Sequence, residues 1–188
     1  MDVTELRPGL WRWTAPHPAW IEGADWPREV GCVYYEAPGA VVLIDPLVPP
    51  EREGFFRALD RDFERADRPL AILLTVPWHE RSAEEVAERY GTALDGLPRG
   101  IVPLSFPEVG ETIYWLPEHG ALVPGDTLVG EGQGGLVVCP DTWLEGGAPA
   151  VLHQSLRSLL ELPIELVLVS HGEPVLAGGY AAVERALA

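Results

Sequence analysis

Between Val76 and Arg81 the chain sets out six residues of contrasting chemistry, Val-Pro-Trp-His-Glu-Arg, directly after a run that reads as a buried strand. Valine has no lone pair to give, and the indole of Trp78 is a hydrogen-bond donor only. His79 and Glu80 offer an imidazole and a carboxylate, whereas Arg81 brings a charge that stays on at any ordinary pH. Two more donors follow other strand-like runs: Asp126 in Gly125-Asp126-Thr127 and His171 in Ser170-His171-Gly172. Imidazoles and carboxylates of this kind can hold a cation, and here a guanidinium stands among them. Asp45, which ends a further strand pattern, reads as a residue that holds its turn by hydrogen bonds.

The elements that must position these groups are legible in the spacing. Ala71 to Leu74 is a continuous apolar run, as expected of a strand covered on both faces. Pro77 lacks a backbone N–H and stops the ladder. Ser82 then reads as an N-cap, with Glu85 completing a capping box, and Val86 and Tyr90 fall on the buried side of the helix that follows. The turn 76–81 therefore sits at a strand's carboxyl end, where open α/β sheets keep their sites.

Upstream, Leu10-Trp11-Arg12-Trp13 alternates like a strand and leads into a loop rich in Pro, Gly and Trp. Its indoles are expected to pin the loop to the body; the alternative is a flap with Trp20 and Trp26 as an apolar lid. Val30–Tyr35 and Val41–Ile44 form a hairpin around Ala37-Pro38-Gly39-Ala40. Phe55, Phe56, Leu59, Phe63 and Ala66 recur at helical spacing before Pro69. Residues 91–110 read as a linker. Thr112–Pro117 and Ala121–Val123 are strands joined through Glu118-His119-Gly120. After a Gly-rich loop, Val151, Leu152, Ser155, Leu156, Leu159 and Leu160 give a helical face. Pro163 closes that face, Ile164–Val169 is a second buried strand, and a short helix ends the chain.

One order thus occurs twice: a hairpin ending in Asp, a helix, a proline, a buried strand and a loop with candidate site residues. Asp45 answers to Asp126, and Pro69 to Pro163. The expected class is α/β, with two similar βα halves and helices outside two facing sheets. No strand runs into G-x-G-x-x-G or G-x-x-x-x-G-K-[ST], and no G-x-S-x-G elbow is present.

Composition narrows the partners. The 188 residues carry a net charge of −16, and all 13 cations are arginine. Such an acidic chain repels phosphate backbones, so no nucleic-acid partner is expected. No apolar stretch approaches the roughly 18 residues of a membrane span, and the first residues lack the pattern of a secretory signal. A cytoplasmic protein without membrane attachment, monomeric or homodimeric, is the expectation. Cys32 and Cys139 read as small buried hydrophobes.

The order of Val41–Asp45, the Leu73-Leu74-Thr75 strand end, Gly125-Asp126-Thr127 and LLELPIELVLVSHGEPV resembles the metallo-β-lactamase superfamily over most of the chain. The resemblance implies a single domain, 1–188, built as a four-layer αββα sandwich with its site at one edge between the halves. In that family a His-x-His-x-Asp-His loop after the strand, a further His, the Gly-Asp-Thr Asp and a last His before Gly-x-Pro hold two zinc or iron ions. Asp126 matches the bridging Asp and His171 the last His. Val76 and Trp78 stand where the first two loop His belong, Glu80 at the Asp and Arg81 at the third His. The further His would fall near Pro107–Glu108, where none occurs.

A two-metal mechanism needs ions roughly 3.5–4 Å apart, and Asp126 with His171 cannot hold such a pair. The expectation is a member that has lost the dinuclear centre and binds a small-molecule ligand with no cofactor. Its cleft would hold Trp78, His79, Glu80, Arg81, Asp126 and His171, with Arg81 paired to Asp126, Glu80 or both. The alternative is a metal-dependent hydrolase of ester, thioester or similar bonds, with one zinc, iron or manganese ion on His79, Glu80, Asp126 and His171. His119, Glu108 and Glu111 are expected in solvent, and His153 as a packed or surface residue. His17 sits in the Trp-rich loop, with reach to the cleft as the minor reading.

Overall fold

A computed structural model describes residues 2–92, 96–144 and 149–188. The chain divides into two compact units, residues 1–74 with 78–101, and residues 75–77 with 102–188. The linker 91–110 and the stretch 128–148, which contains the Gly-rich loop, therefore lie partly outside the described residues.

The first unit is a five-stranded sheet in chain order, β1 (Asp2–Arg7), β2 (Leu10–Pro16), β3 (Glu29–Ala37), β4 (Ala40–Ile44) and β5 (Leu70–Leu73). Ala37 pairs with Ala40 at the expected hairpin, and the strands are antiparallel except for β4 and β5. A parallel pair needs a crossover, and helix α1 (Arg52–Ala66) supplies it. Its apolar spacing buries Phe55, Phe56 and Leu59, and it ends at Asp67 in the left-handed conformation, two residues before Pro69. Helix α2 (Ala83–Tyr90) turns the fully buried Val86 inward and stops at left-handed Gly91. Trp13 packs on Phe55 and donates its indole N–H to the Leu47 carbonyl at 3.0 Å. The Trp20 indole donates to the backbone carbonyl of Trp26 at 2.9 Å and so ties its own loop together.

The second unit has a four-stranded sheet ordered β11-β8-β7-β6, from β6 (Val102–Phe106), β7 (Glu111–Leu116), β8 (Ala121–Val123) and β11 (Leu166–Val167). Strands β9 (Leu128–Gly132) and β10 (Gly135–Val138) form a separate hairpin. Helix α3 (Pro149–Leu156) runs into a 3-10 turn at Arg157–Glu161, and α4 (Gly179–Ala186) follows β11. Leu152, Leu156 and Leu159 are buried as their spacing requires, whereas Val151 is exposed. The repeated order holds: an antiparallel hairpin (β3-β4, β7-β8) precedes a helix and a strand parallel to the hairpin's second strand.

Three expectations change. The linker 91–110 contains β6, the Gly-rich stretch after Asp126 is the β9–β10 hairpin, and β1 precedes the first anticipated strand. Glycine and exposed positions blur the alternation in β6 and β9, whose pairing is fixed by a neighbouring strand. The buried run 164–169 is regular strand only at Leu166–Val167, and Val167 also bridges to Val175.

Candidate functional site

After β5, a 3-10 turn at Pro77–Glu80 sets His79 inward and Trp78 outward. His79 is 4% exposed and Trp78 61%. The Nδ1 of His79 lies 2.9 Å from Oδ2 of the buried Asp45. A carboxylate only accepts, so Nδ1 carries the proton and donates. Asp45 thus holds its turn as expected, and orients an imidazole as well.

Arg81 closes the same turn from behind. Its Nη1 donates to the carbonyls of Gly31 at 3.1 Å and Asp45 at 3.0 Å, and reaches Sγ of Cys32 at 3.8 Å. Both Asp45 and Arg81 have positive φ, 49° and 43°, a conformation non-glycine residues hold only when their surroundings enforce it. Glu80 is exposed and makes no ion pair with Arg81 among the described residues, so that half of the expected pairing is not formed. An exposed carboxylate beside an arginine already directed at carbonyls gains little by pairing. Burial pushes the Cys32 thiol up to about 11 against the pull of the Arg81 charge.

The expected capping box is absent. Ser82 stands at the N-cap of α2 but makes no side-chain cap bond; its Oγ accepts the N–H of Val48 at 3.0 Å instead. Glu85 turns to Arg52 on α1. The donor that takes up the Ser82 Oγ, the Val48 N–H, comes from a segment 34 residues away.

In the second unit, the turn after β8 is organised by Glu111, at the start of β7. The expectation placed this residue in solvent; it is 2% exposed. Its Oε1 accepts the N–H of Gly125 at 2.9 Å and the hydroxyl of Thr127 at 2.8 Å. Its Oε2 accepts the N–H groups of Asp126 and Thr127, each at 2.9 Å. Burial pushes the carboxyl of Glu111 up, and the four donors pull it back. The available signal was a Gly-Asp-Thr turn with three consecutive amides to satisfy. Glycine is required here: a Cβ at Gly125 would lie 2.5 Å from Oγ1 of Thr75.

Nε2 of His171 lies 3.1 Å from Oδ1 of Asp126, so the two residues expected at the site meet within this unit. The His171 turn is set by backbone contact. Its carbonyl accepts the N–H of Gly130 at 2.9 Å. A Cβ at Gly130 would fall 2.0 Å from the Glu173 carbonyl oxygen, and one at Gly172 would fall 2.2 Å from the Gly130 oxygen. Trp143 stands edge-on to the His171 ring at 5.4 Å. Cys139 is buried, its thiol pushed up to about 12 by desolvation, with Glu111 and Asp126 adding to it.

Other titratable residues depart from or keep to expectation. His119 is 6% exposed rather than solvated, buried within the 3-10 turn Pro117–His119 that joins β7 and β8. Glu108 is partly buried, with Oε1 shielded from solvent, so it also differs from the expected solvated loop. His17 accepts the N–H of Ala19 at 3.2 Å and packs on Trp26, within its own loop. His153 is half-buried on α3.

No protein-family model matches this sequence, and no curated protein does. Solved structures do match in shape. A metallo-β-lactamase from Pontibacter korlensis is similar with TM-score 0.64 at 14% identity, covering 99% of this chain and 96% of its own. One from Erythrobacter litoralis gives TM-score 0.58 at 15% identity, covering 98% and 89%. A metallo-β-lactamase family protein from Thermus thermophilus gives TM-score 0.54 at 17% identity, covering 96% and 79%. The likeness shows the fold: this is an α/β chain of the metallo-β-lactamase type.

Proposed function

We propose that this chain is a single domain, 1–188, of the metallo-β-lactamase fold that has lost the dinuclear metal centre and serves to bind a small ligand. The observation that carries the reading is the state of the turn 76–81. At the positions that match the family's loop ligands, Val76 is buried and has no lone pair, and Trp78 is 61% exposed with an N–H donor only. Arg81 is a cation whose guanidinium is directed at backbone carbonyls. Residues of these types do not fit a pair of ions, and no two-metal step is derived from them. Net charge −16 speaks against nucleic acid as a partner. No described helix is long and apolar enough to cross a membrane.

A second reading is favoured by one feature. His79 is buried and hands its Nδ1–H to a carboxylate, the arrangement that fixes metal-binding imidazoles. With Glu80 exposed, the donors left to a single ion would be His79, Asp126 and His171. An ion so held supplies Lewis-acid activation of water for ester or thioester hydrolysis. Metal analysis of protein purified without chelator, repeated on Asp126→Ala and His171→Ala, separates the two. Metal-free protein of undiminished thermal stability is the expected result. One zinc, iron or manganese ion per chain that disappears in both variants would replace the first reading by the second, and two ions per chain would sink both.

A further inference from the structure

The two turns that carry the candidate site residues share a construction. In the first unit a guanidinium gathers two backbone carbonyls, that of Gly31 within β3 and that of Asp45 just after β4. Asp45, held by its carbonyl, presents its carboxylate to His79. In the second unit a carboxylate gathers three consecutive backbone N–H groups and one hydroxyl, from Gly125 to Thr127. Carbonyl oxygens carry partial negative charge and amides partial positive charge, so each turn is matched by a side chain of the complementary sign. Charge-assisted bonds of this kind are about twice as strong as neutral ones.

We infer that Arg81 and Glu111 are positioning residues, internal ions of opposite sign that preform the His79 and Asp126 turns without help from any metal. Each is expected to act on its own turn. Arg81 fixes the backbone of Asp45 in its left-handed conformation, and so the direction from which the carboxylate meets His79. Glu111 lines up the amides of Gly125, Asp126 and Thr127, and so the backbone from which the Asp126 side chain projects. The inference goes beyond the functional reading, since it concerns what rigidifies the turns rather than what they bind.

The experiment is hydrogen exchange followed by NMR on the full chain, with and without chelator, in wild type, Arg81→Lys, Arg81→Ala, Glu111→Asp and Glu111→Gln. In wild type the amides of residues 125–127 and the Nδ1 proton of His79 are expected to exchange slowly, and chelator should change neither. Glu111→Gln should speed exchange of residues 125–127 about tenfold or more while leaving the His79 proton alone, because an amide nitrogen then faces backbone donors. Arg81→Ala should release the His79 Nδ1 proton and spare residues 125–127. Arg81→Lys and Glu111→Asp keep the charge with altered reach and should restore part of the protection; they also serve if the larger changes prevent folding. Faster exchange in wild type on adding chelator would overturn the inference, as would unchanged protection in the Arg81 and Glu111 variants. Metal content is read separately, so a wrong functional reading and a wrong inference leave different marks.

Discussion

The first and second units run through the same order of hairpin, helix and parallel strand, yet they fix their site turns by opposite means. The first unit points a cation at backbone acceptors: Arg81 reaches Gly31 and Asp45. The second points an anion at backbone donors: Glu111 receives Gly125, Asp126 and Thr127. Their glycines differ too. Gly39, in the first unit's hairpin turn, would meet nothing within 4 Å if it carried a Cβ, whereas Gly130 and Gly172 lie flush against backbone. A shared topology therefore does not dictate how a turn is locked. Which unpaired backbone groups the strand ends leave over decides the sign of the residue that suits them.

The sharpest way to break this contrast is at the glycines. Gly130→Ala should cost about 3 kcal/mol in urea denaturation, the upper end for forcing a methyl into packed interior, and Gly39→Ala only a few tenths. Equal losses would show that close backbone contact does not set the His171 turn.

Next in size is an alkaline effect that each unit produces through one buried thiol. Burial disfavours the thiolate in the folded state, so the folded value is raised above the ordinary value near 9. The stability from keeping each thiol neutral is complete below pH about 9. It is lost as pH rises through about 11 for Cys32 and about 12 for Cys139. Unfolding free energy should fall by on the order of 2 kcal/mol between pH 9 and 11 through Cys32 alone. Cys32→Ala should lessen the decline between pH about 9 and 11, and Cys139→Ala should lessen it from pH about 9 through about 12. A decline that neither variant alters would remove the thiols from the account.

The smallest effects sharpen the description of the first unit. Ser82→Ala should cost about 1 kcal/mol by depriving the Val48 N–H of its acceptor. Glu85→Ala should cost no more than a few tenths, lost in high salt, because its partner Arg52 is exposed. Matching losses for Ser82 and Glu85 would restore the capping box that the geometry lacks.

Much of the fold was legible in order and spacing. The apolar runs of β4 and β5, the period of α1 and the prolines at 69, 77 and 163 placed the main elements and the repeat of the two halves. Cys32 and Cys139 were rightly read as buried, and Asp126 and His171 meet as candidate residues. The short strands β6 and β9 were not legible, because their sequences lack a strong alternation and their strand state comes from a paired neighbour. Nor were the polar assignments. Ser82 looked like a cap, Glu111 and His119 looked solvated, and each turned out to serve or fill the interior.

By itself the sequence determined which segments could be buried strands and helices, since periodicity and proline act over a few residues. It also determined which side chains at the strand ends possess a lone pair and which bear a fixed charge. Only the tertiary structure decided where the polar side chains point. Arg81 finds the Gly31 carbonyl across 50 positions and Glu111 finds the Gly125 amide across 14. A hydrogen bond at that separation depends on strand pairing and register, which no local pattern of residues encodes.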